Sequence, residues 1–294
     1  MIRAQVSEKR TMGIPGDILD GIDRLEPLPM TVQKLILMLD DEEVDLGEVA
    51  RIIELDGAIT SNVLRLANSA AFGGISYIRK THNAVVRLGT ATLLDILLIG
   101  HLRSMRVAAP HYNLSEDDLW LHGAAASLAA KATTKEARRM RIPQVATVAS
   151  LIHDIGKLIM VRYLKADVPS LYDICHEQNI TLVQAERQVL DCDHAEVGGA
   201  MARKWSFPEP IIQGIELHHQ SPAADGLPIL DTVVIANEVA KLVAAGMEVD
   251  GTHLHPDIAD SCRRLSIDGE GFRRICSTTA AWLADLKLRY GIAN

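Results

Sequence analysis

The sequence predicts an all-α protein, and three observations carry that expectation. Apolar residues recur at i, i+3, i+4 and i+7 in segment after segment. No alternating apolar–polar run is long enough for a useful strand, and no fixed-period repeat is present. Aromatic residues make up only 4% of the 294 residues, so a 48% apolar fraction must build its core from Leu, Ile, Val and Ala. That mixture favours helices over a β-sandwich. The length suits one large domain or two small helical lobes.

Residues 1 to about 20 read as a loose lead-in. Pro27 and Pro29 bracket a turn, and Thr31 can cap a helix whose Val32, Leu35, Ile36 and Leu39 form one stripe. The acidic turn Asp40 to Glu43 ends it, and Asp45 then caps a second helix with Leu46, Val49 and Ile53 on its buried side. Asp56 and Gly57 break the pattern before a third helix from about Ala58 to Asn68, and Gly73 and Gly74 mark a loop. Helices follow around Asn83 to Leu88 and Ala91 to Leu102. Pro110 and the polar stretch Asn113 to Glu116 read as a connection, dividing the chain into lobes at 21–112 and 113–294. The second lobe opens with a helix carrying Leu119, His122 and Ala126. Pro143 starts the most clearly patterned helix, with Val145, Val148, Ala149, Ile152 and Ile159 on one face. Further helices are expected at about 169–178, 181–190, 194–204, 208–217, 228–245 and 270–289.

Composition excludes several function classes. A net charge of −8 opposes non-specific nucleic-acid binding. The local cluster Lys131, Lys135, Arg138, Arg139 and Arg141 reads as a solvated helix face. No apolar run approaches the roughly 18 residues needed to cross a bilayer, and the best stretch, Leu93 to Ile99, is interrupted by Asp95. Met1 to Met12 has no apolar signal-peptide core. Cys175, Cys192, Cys262 and Cys276 lie far apart without a CxxC pair, so a cytoplasmic protein is expected.

The histidines carry the chemistry. His153-Asp154 falls within Leu151-Ile-His-Asp-Ile-Gly-Lys157, and a charged Asp beside a His amid Ile and Leu is costly to bury without a partner. A divalent cation is such a partner, since neutral imidazole and carboxylate both donate to it. On a continuous helix Lys157 lies one turn after His153, which places an ammonium near the same pocket and suits a phosphate-bearing ligand. His194 sits at a helix start with Asp191 or Asp193 as cap, while His218-His219 ends a helix. His82 stands apart from this group, and Asp118, one turn before His122, is a further candidate carboxylate.

The order His122, His153-Asp154, His194, His218-His219 resembles the ligand order of HD-superfamily metal-dependent phosphohydrolases, with the extended histidine set of cyclic di-GMP phosphodiesterases of the HD-GYP type. Leu25-Glu-Pro-Leu-Pro29, Leu55-Asp-Gly-Ala-Ile-Thr60, Val63-Leu-Arg-Leu-Ala-Asn-Ser69 and Ala84-Val-Val-Arg-Leu-Gly89 look like the HDOD (HD-related output domain) family over roughly residues 25 to 220. The resemblance implies a second lobe built as an HD-type helical bundle, and a bacterial signalling output of which many relatives are catalytically inactive. Glu26 and Gly57 depart from the family pattern away from the pocket. Asn237 stands where HD hydrolases place an aspartate, and the GYP segment is absent after His219. Asp231 lies about 120° around the helix from Asn237 and Glu238 about 100°, so neither replaces the lost ligand simply.

The resemblance thus implies one or two divalent transition ions (Fe, Mn, Zn or Ni) held by His122, His153, Asp154, His194, His218, His219 and Asn237, with Asp154 and Lys157 nearest the chemistry. The expected function is a regulatory module that binds a signalling protein or a nucleotide through a degenerate metal and phosphate pocket, its input supplied by a partner or ligand. The alternative is a working phosphohydrolase, perhaps for a cyclic dinucleotide.

Overall fold

The computed structural model describes residues 13–25, 28–38, 44–69, 76–105, 107–137, 140–165, 168–220, 227–247 and 254–290. The expectations at Met1 to Met12, Glu26, Pro27, Leu39, Asp40 to Glu43, Gly73-Gly74, Arg138-Arg139 and the segment 221–226 lie outside the described residues. Among the described residues the secondary structure is helical apart from one isolated antiparallel bridge, Ala109 to Leu114.

The first helices follow from their caps and stripes. Helix α1 spans Gly16–Asp23 and buries Ile18 and Ile22. The loose lead-in expected over residues 1–20 therefore gives way to a helix, because Ile14, Ile18 and Ile22 repeat at i, i+4 and i+8 and are all buried. Helix α2 (Met30–Met38) buries Val32, Leu35 and Ile36, and Thr31 lies inside its first turn rather than capping it. Helix α3 (Leu46–Glu54) is capped by Asp45, whose carboxylate accepts from Gly47 N at 2.8 Å. Helix α4 (Gly57–Ala67) is capped by Asp56, which accepts from Ala58 N and Ile59 N at 2.9 and 3.0 Å. Asn68, in the stretch singled out above, holds the chain after α4 by exchanging hydrogen bonds with Ile78 at 2.7 and 2.8 Å. Helices α5 (Thr81–Leu88) and α6 (Thr90–Ser104) complete this half.

Helix α7 (Asp118–Glu136) is the hub of the rest. Its buried residues are mostly small, Ala124, Ala125, Ala126, Ala129, Ala130 and Ala132 among them, so neighbours approach closely on several sides. Those neighbours are α8 (Val145–Ile152), α14 (Pro228–Ala244) and α16 (Gly269–Tyr290). Trp120 Nε1 donates to Ile99 O at 3.1 Å and stitches α7 to α6. Of the cations expected on a solvated face, Lys131 reaches inward to the buried Asp95 at 3.2 Å, while Lys135 is exposed with its Nζ 4.6 Å above the Trp282 ring.

The remaining helices are α9 (Gly156–Met160), α10 (Leu171–Gln178), α11 (Leu182–Leu190), α12 (His194–Lys204), α13 (Glu209–Glu216) and α15 (Pro256–Arg264). Helix α15 was not among the expected elements. One apolar cluster runs from Ile14 to Leu283 through both halves of the chain, and a smaller one joins Tyr112, Leu164, Leu171 and Ala185 under the α10–α11 hairpin.

Candidate metal centre

The long helix expected from Pro143 through Ile159 is broken at His153, and the break makes the site. Helix α8 stops at Ile152, residues 153–155 form a turn, and α9 restarts at Gly156. His153 Nδ1 bonds back to Ser150 O at 2.7 Å, and Lys157 N closes a tight turn onto Asp154 O at 3.0 Å. Asp154 and Lys157 are therefore partners three residues apart rather than Lys157 standing over His153. A side chain at Gly156 would run into the carbonyl of His194, so only glycine lets α9 lie against the start of α12.

Each imidazole comes from a different place. His122 projects from the second turn of α7, His194 is the first residue of α12, and His218-His219 lie in the turn after α13. Asp193, not Asp191, caps α12 through a capping box with Glu196. The rings converge on one carboxylate. Asp154 Oδ2 lies 3.5 Å from His122 Nε2 and 3.6 Å from His153 Nε2, while Oδ1 lies 3.1 Å from His194 Nε2 and 3.7 Å from His218 Nε2. Two ligand sets result, His122–His153–Asp154 and Asp154–His194–His218–His219, each with its donor atoms within 4.8 Å of one another. Asp154 belongs to both.

The outward hydrogen bonds fix which nitrogen faces the centre. A carbonyl or carboxylate oxygen can only accept, so the Nδ1 that meets it carries the proton. His153 Nδ1 donates to Ser150 O, His218 Nδ1 to Ile215 O at 2.6 Å, and His194 Nδ1 to the buried Glu186 at 2.7 and 2.8 Å. Their Nε2 atoms face the centre and one another. His122 and His153 come within 3.2 Å, His194 and His218 within 3.3 Å, and His194 and His219 within 2.8 Å.

Electrostatics point the same way. Burial pushes His122 down to about 4 and drives His153 and His218 down as well, leaving neutral lone-pair donors at neutral pH. His194 differs: burial opposes its protonation, but Glu186 and the bond to Asp154 together raise it to about 8, so a cation bound at its Nε2 takes the place of a proton. Burial alone would raise Asp154, yet Lys157, His153 and bonds from His194 and His218 hold it well below the usual carboxylate range. Lys157 stays charged by the converse balance, with its Nζ 2.7 Å from Asp154 Oδ2. Imidazole nitrogens converging from both sides on one buried, anionic carboxylate fit a divalent cation.

Other candidates are placed less centrally. Asn237 is buried on α14 beside His122 and makes no hydrogen bond through its Oδ1. It lines a cavity of about 240 Å³ together with His218, His219, Glu238, Lys241 and His255. Asp231 is committed elsewhere, since Arg264 grips it from α15 at 2.6 and 3.0 Å. Asp118 belongs to neither ligand set and accepts from Ser115 N at 2.6 Å, and His82 is exposed. Sequence reasoning missed Glu186. Its signal was weak, because only its place beside Ala185 on the inward side of α11 sets it apart from any other helical glutamate.

Comparison with known proteins adds a family and a fold. The HDOD domain model matches residues 25–221. An uncharacterized protein of Treponema pallidum (strain Nichols) is 27% identical over 236 residues, covering 78% of this chain and 45% of that protein. The chain thus spans about half the length of this curated relative. Among solved structures, an HDOD domain protein of unknown function from Geobacter sulfurreducens superposes with a TM-score of 0.70 at 22% identity, over 96% of this chain and 97% of that one. A candidate phosphohydrolase from Shewanella amazonensis SB2B gives 0.65 at 20% identity, over 92% and 97%. A candidate signal transduction protein from Marinobacter aquaeolei VT8 gives 0.70 at 17% identity, over 98% and 65%. At these identities the solved structures share the fold.

Proposed function

This chain belongs to the HDOD domain family, and from that membership and its imidazole cage we propose that it is a signal-transduction module which binds a divalent transition ion and a phosphate-bearing ligand without turning that ligand over efficiently. The observation that carries the reading is the charge of the cage. Five imidazoles share a single carboxylate among the described ligands, and Lys157 already neutralises that carboxylate. Asn237 contributes only a neutral oxygen beside His122.

A nitrogen-rich set of this kind favours Fe, Mn, Zn or Ni over Mg or Ca, with one or two ions. Such an ion would supply Lewis-acid activation of a phosphoryl group, an effect that weakens when a ligand charge is missing. The chain's own part is to bind and orient. Lys241, one turn after Asn237, lines the open cavity beside His255 and offers positive charge to a phosphate. Lys157 would orient a phosphoryl group only by letting go of Asp154. A nucleotide or a signalling protein is the ligand class this reading favours, in a cytoplasmic protein of two lobes, 21–112 and 113–294. Nucleic acid is disfavoured by the net charge of −8.

The second reading, a metal-dependent phosphohydrolase, is favoured by Asp154 itself, because one carboxylate shared by two ligand sets is how paired ions are held for phosphoester hydrolysis. Metal analysis followed by a phosphodiesterase assay in Mn²⁺ separates the two. The regulatory reading expects bound metal with negligible turnover. Robust turnover that disappears in His153→Ala would replace it with the hydrolase.

A further inference from the structure

We propose that Glu186 is the positioning residue of this centre: docking of the α10–α11 hairpin delivers one buried carboxylate that locks His194 in its ligand tautomer and so creates the cation position shared with His218 and His219. The inference rests on the cation-binding reading above and goes beyond it by assigning one of the two positions to a residue that touches no cation.

Among the described residues of the hairpin, Glu186 is the one buried charged side chain, at 0% exposure, while Asp173, Glu177 and Arg187 are exposed. A fully buried carboxylate is costly unless its lone pairs are taken. Glu186 engages His194 in two ways, accepting from the backbone N at 3.1 Å and from Nδ1 at 2.7 and 2.8 Å. The first bond fixes the start of α12, and the second fixes the ring. With Nδ1 committed to Glu186, Nε2 is the nitrogen turned to the cation position, 3.1 Å from Asp154 Oδ1, 3.3 Å from His218 Nε2 and 2.8 Å from His219 Nε2. No equivalent carboxylate stands behind His153 or His218, which lean on the backbone carbonyls of Ser150 and Ile215.

The hairpin is built to hold this group in place. Thr181 and Gln184 form a capping box at the start of α11, and Asn179 takes the left-handed conformation that ends α10. Ala185, beside Glu186, is buried against Tyr112 and Leu171 in the smaller apolar cluster. Tyr112 lies over the other side, its phenol raised first by burial and then by the Glu186 charge. Glu186 is thus sealed from water between the hairpin and the 109–114 segment.

Glu186→Gln is nearly isosteric but puts an NH₂ where one oxygen stood. Both oxygens lie within 2.8 Å of His194 Nδ1, so that NH₂ faces Nδ1 in either orientation of the amide. Facing Nδ1 drives the ring into the other tautomer, whose Nε2 proton occupies the cation side. The test titrates Co²⁺ into the 294-residue chain and into Glu186→Gln, reading stoichiometry and the visible absorption bands of bound cobalt, with circular dichroism as the fold control. The expected result is two ions in the parent chain. In the variant the second ion is weakened roughly 10- to 100-fold with altered bands, while the ion at His122, His153 and Asp154 is unchanged. His194→Gln should produce the same selective loss, and adding Glu186→Gln to it should weaken binding no further. Two ions at parental affinity with unchanged bands in a folded Glu186→Gln would overturn the proposal alone. A parent chain that takes up no Co²⁺ would overturn it together with the cation reading. Should Glu186→Gln not fold, Glu186→Asp, which draws the carboxylate back by one methylene, is expected to show the same selective weakening. A folded Glu186→Asp with both ions at parental affinity would contradict the proposal.

Discussion

Asp154 has cation-capable neighbours on both carboxylate oxygens, with Lys157 closest at 2.7 Å. Asp154→Asn should therefore abolish binding at both cation positions, whereas His122→Ala should affect only the position it shares with His153. Calorimetric Mn²⁺ titration reads the difference. The same Asp154→Asn change leaves Lys157 buried without its counter-charge, a defect that costs on the order of 3–5 kcal/mol and would lower the denaturation midpoint. Asn237→Asp tests the missing charge from the other side. Tenfold or greater tightening of Mn²⁺ at the His122 position is expected, because a carboxylate replaces a neutral oxygen beside that ring. At this scale much of the site was legible. A His-Asp pair in an apolar run and histidines at helix ends announce themselves by residue type. Glu186 did not, because nothing in Gln184-Ala-Glu-Arg187 distinguishes a buried glutamate from an exposed one until the hairpin has docked.

Helix boundaries depended on interactions that periodicity does not report. Val145 through Ile159 keeps one apolar stripe, yet Asp154 and Lys157 turn the chain away at His153 to satisfy each other. Helix α15 escaped notice because its stripe of Ile258, Ser261, Cys262 and Leu265 is half small or polar. Its Arg264 needs Asp231 of α14 to enter the fold at all. Gly156 is the tightest junction between elements. Gly156→Ala should destabilise the protein by roughly 1–3 kcal/mol through overpacking against α12, measured by urea denaturation, and should loosen cation binding as His194 is displaced. Asp95 gives a pH signature where α6 meets α7 and α8. Burial raises its pKa against the opposing pull of Lys131, Ser127 and Thr147, so the folded state holds its proton more tightly than the unfolded chain. The stability contributed by that proton is complete below the unfolded value near 3.9 and is lost as pH rises through the folded value. Asp95→Asn removes this dependence. The variant's stability relative to the parent should then improve as pH rises from about 4 through that window, read by denaturation at a series of pH values.

The whole molecule joins distant parts of the chain around the centre. Helix α1 packs on α9 and α12, with Lys204 of α12 donating to Ile22 O at 2.9 Å, so the first described helix braces two elements that carry site residues. The all-α class and most of this arrangement were readable from apolar spacing, since helices need only local pattern and caps. How α1 and the hairpin dock was not readable, because it depends on contacts between separate elements, 182 residues apart for Lys204 and Ile22. A cation bound only by the folded state should stabilise the whole protein by about 2.7 kcal/mol at a hundredfold excess over its dissociation constant. A matching rise in melting temperature on adding Mn²⁺, absent in Asp154→Asn, is the expected linkage. The most direct measurement is anomalous diffraction at the manganese edge from crystals of the 294-residue chain soaked in Mn²⁺. The account expects anomalous density on both sides of Asp154, ringed by the Nε2 atoms of His122 and His153 on one side and of His194, His218 and His219 on the other. Well-ordered imidazoles with no anomalous density between them at saturating Mn²⁺ would contradict it.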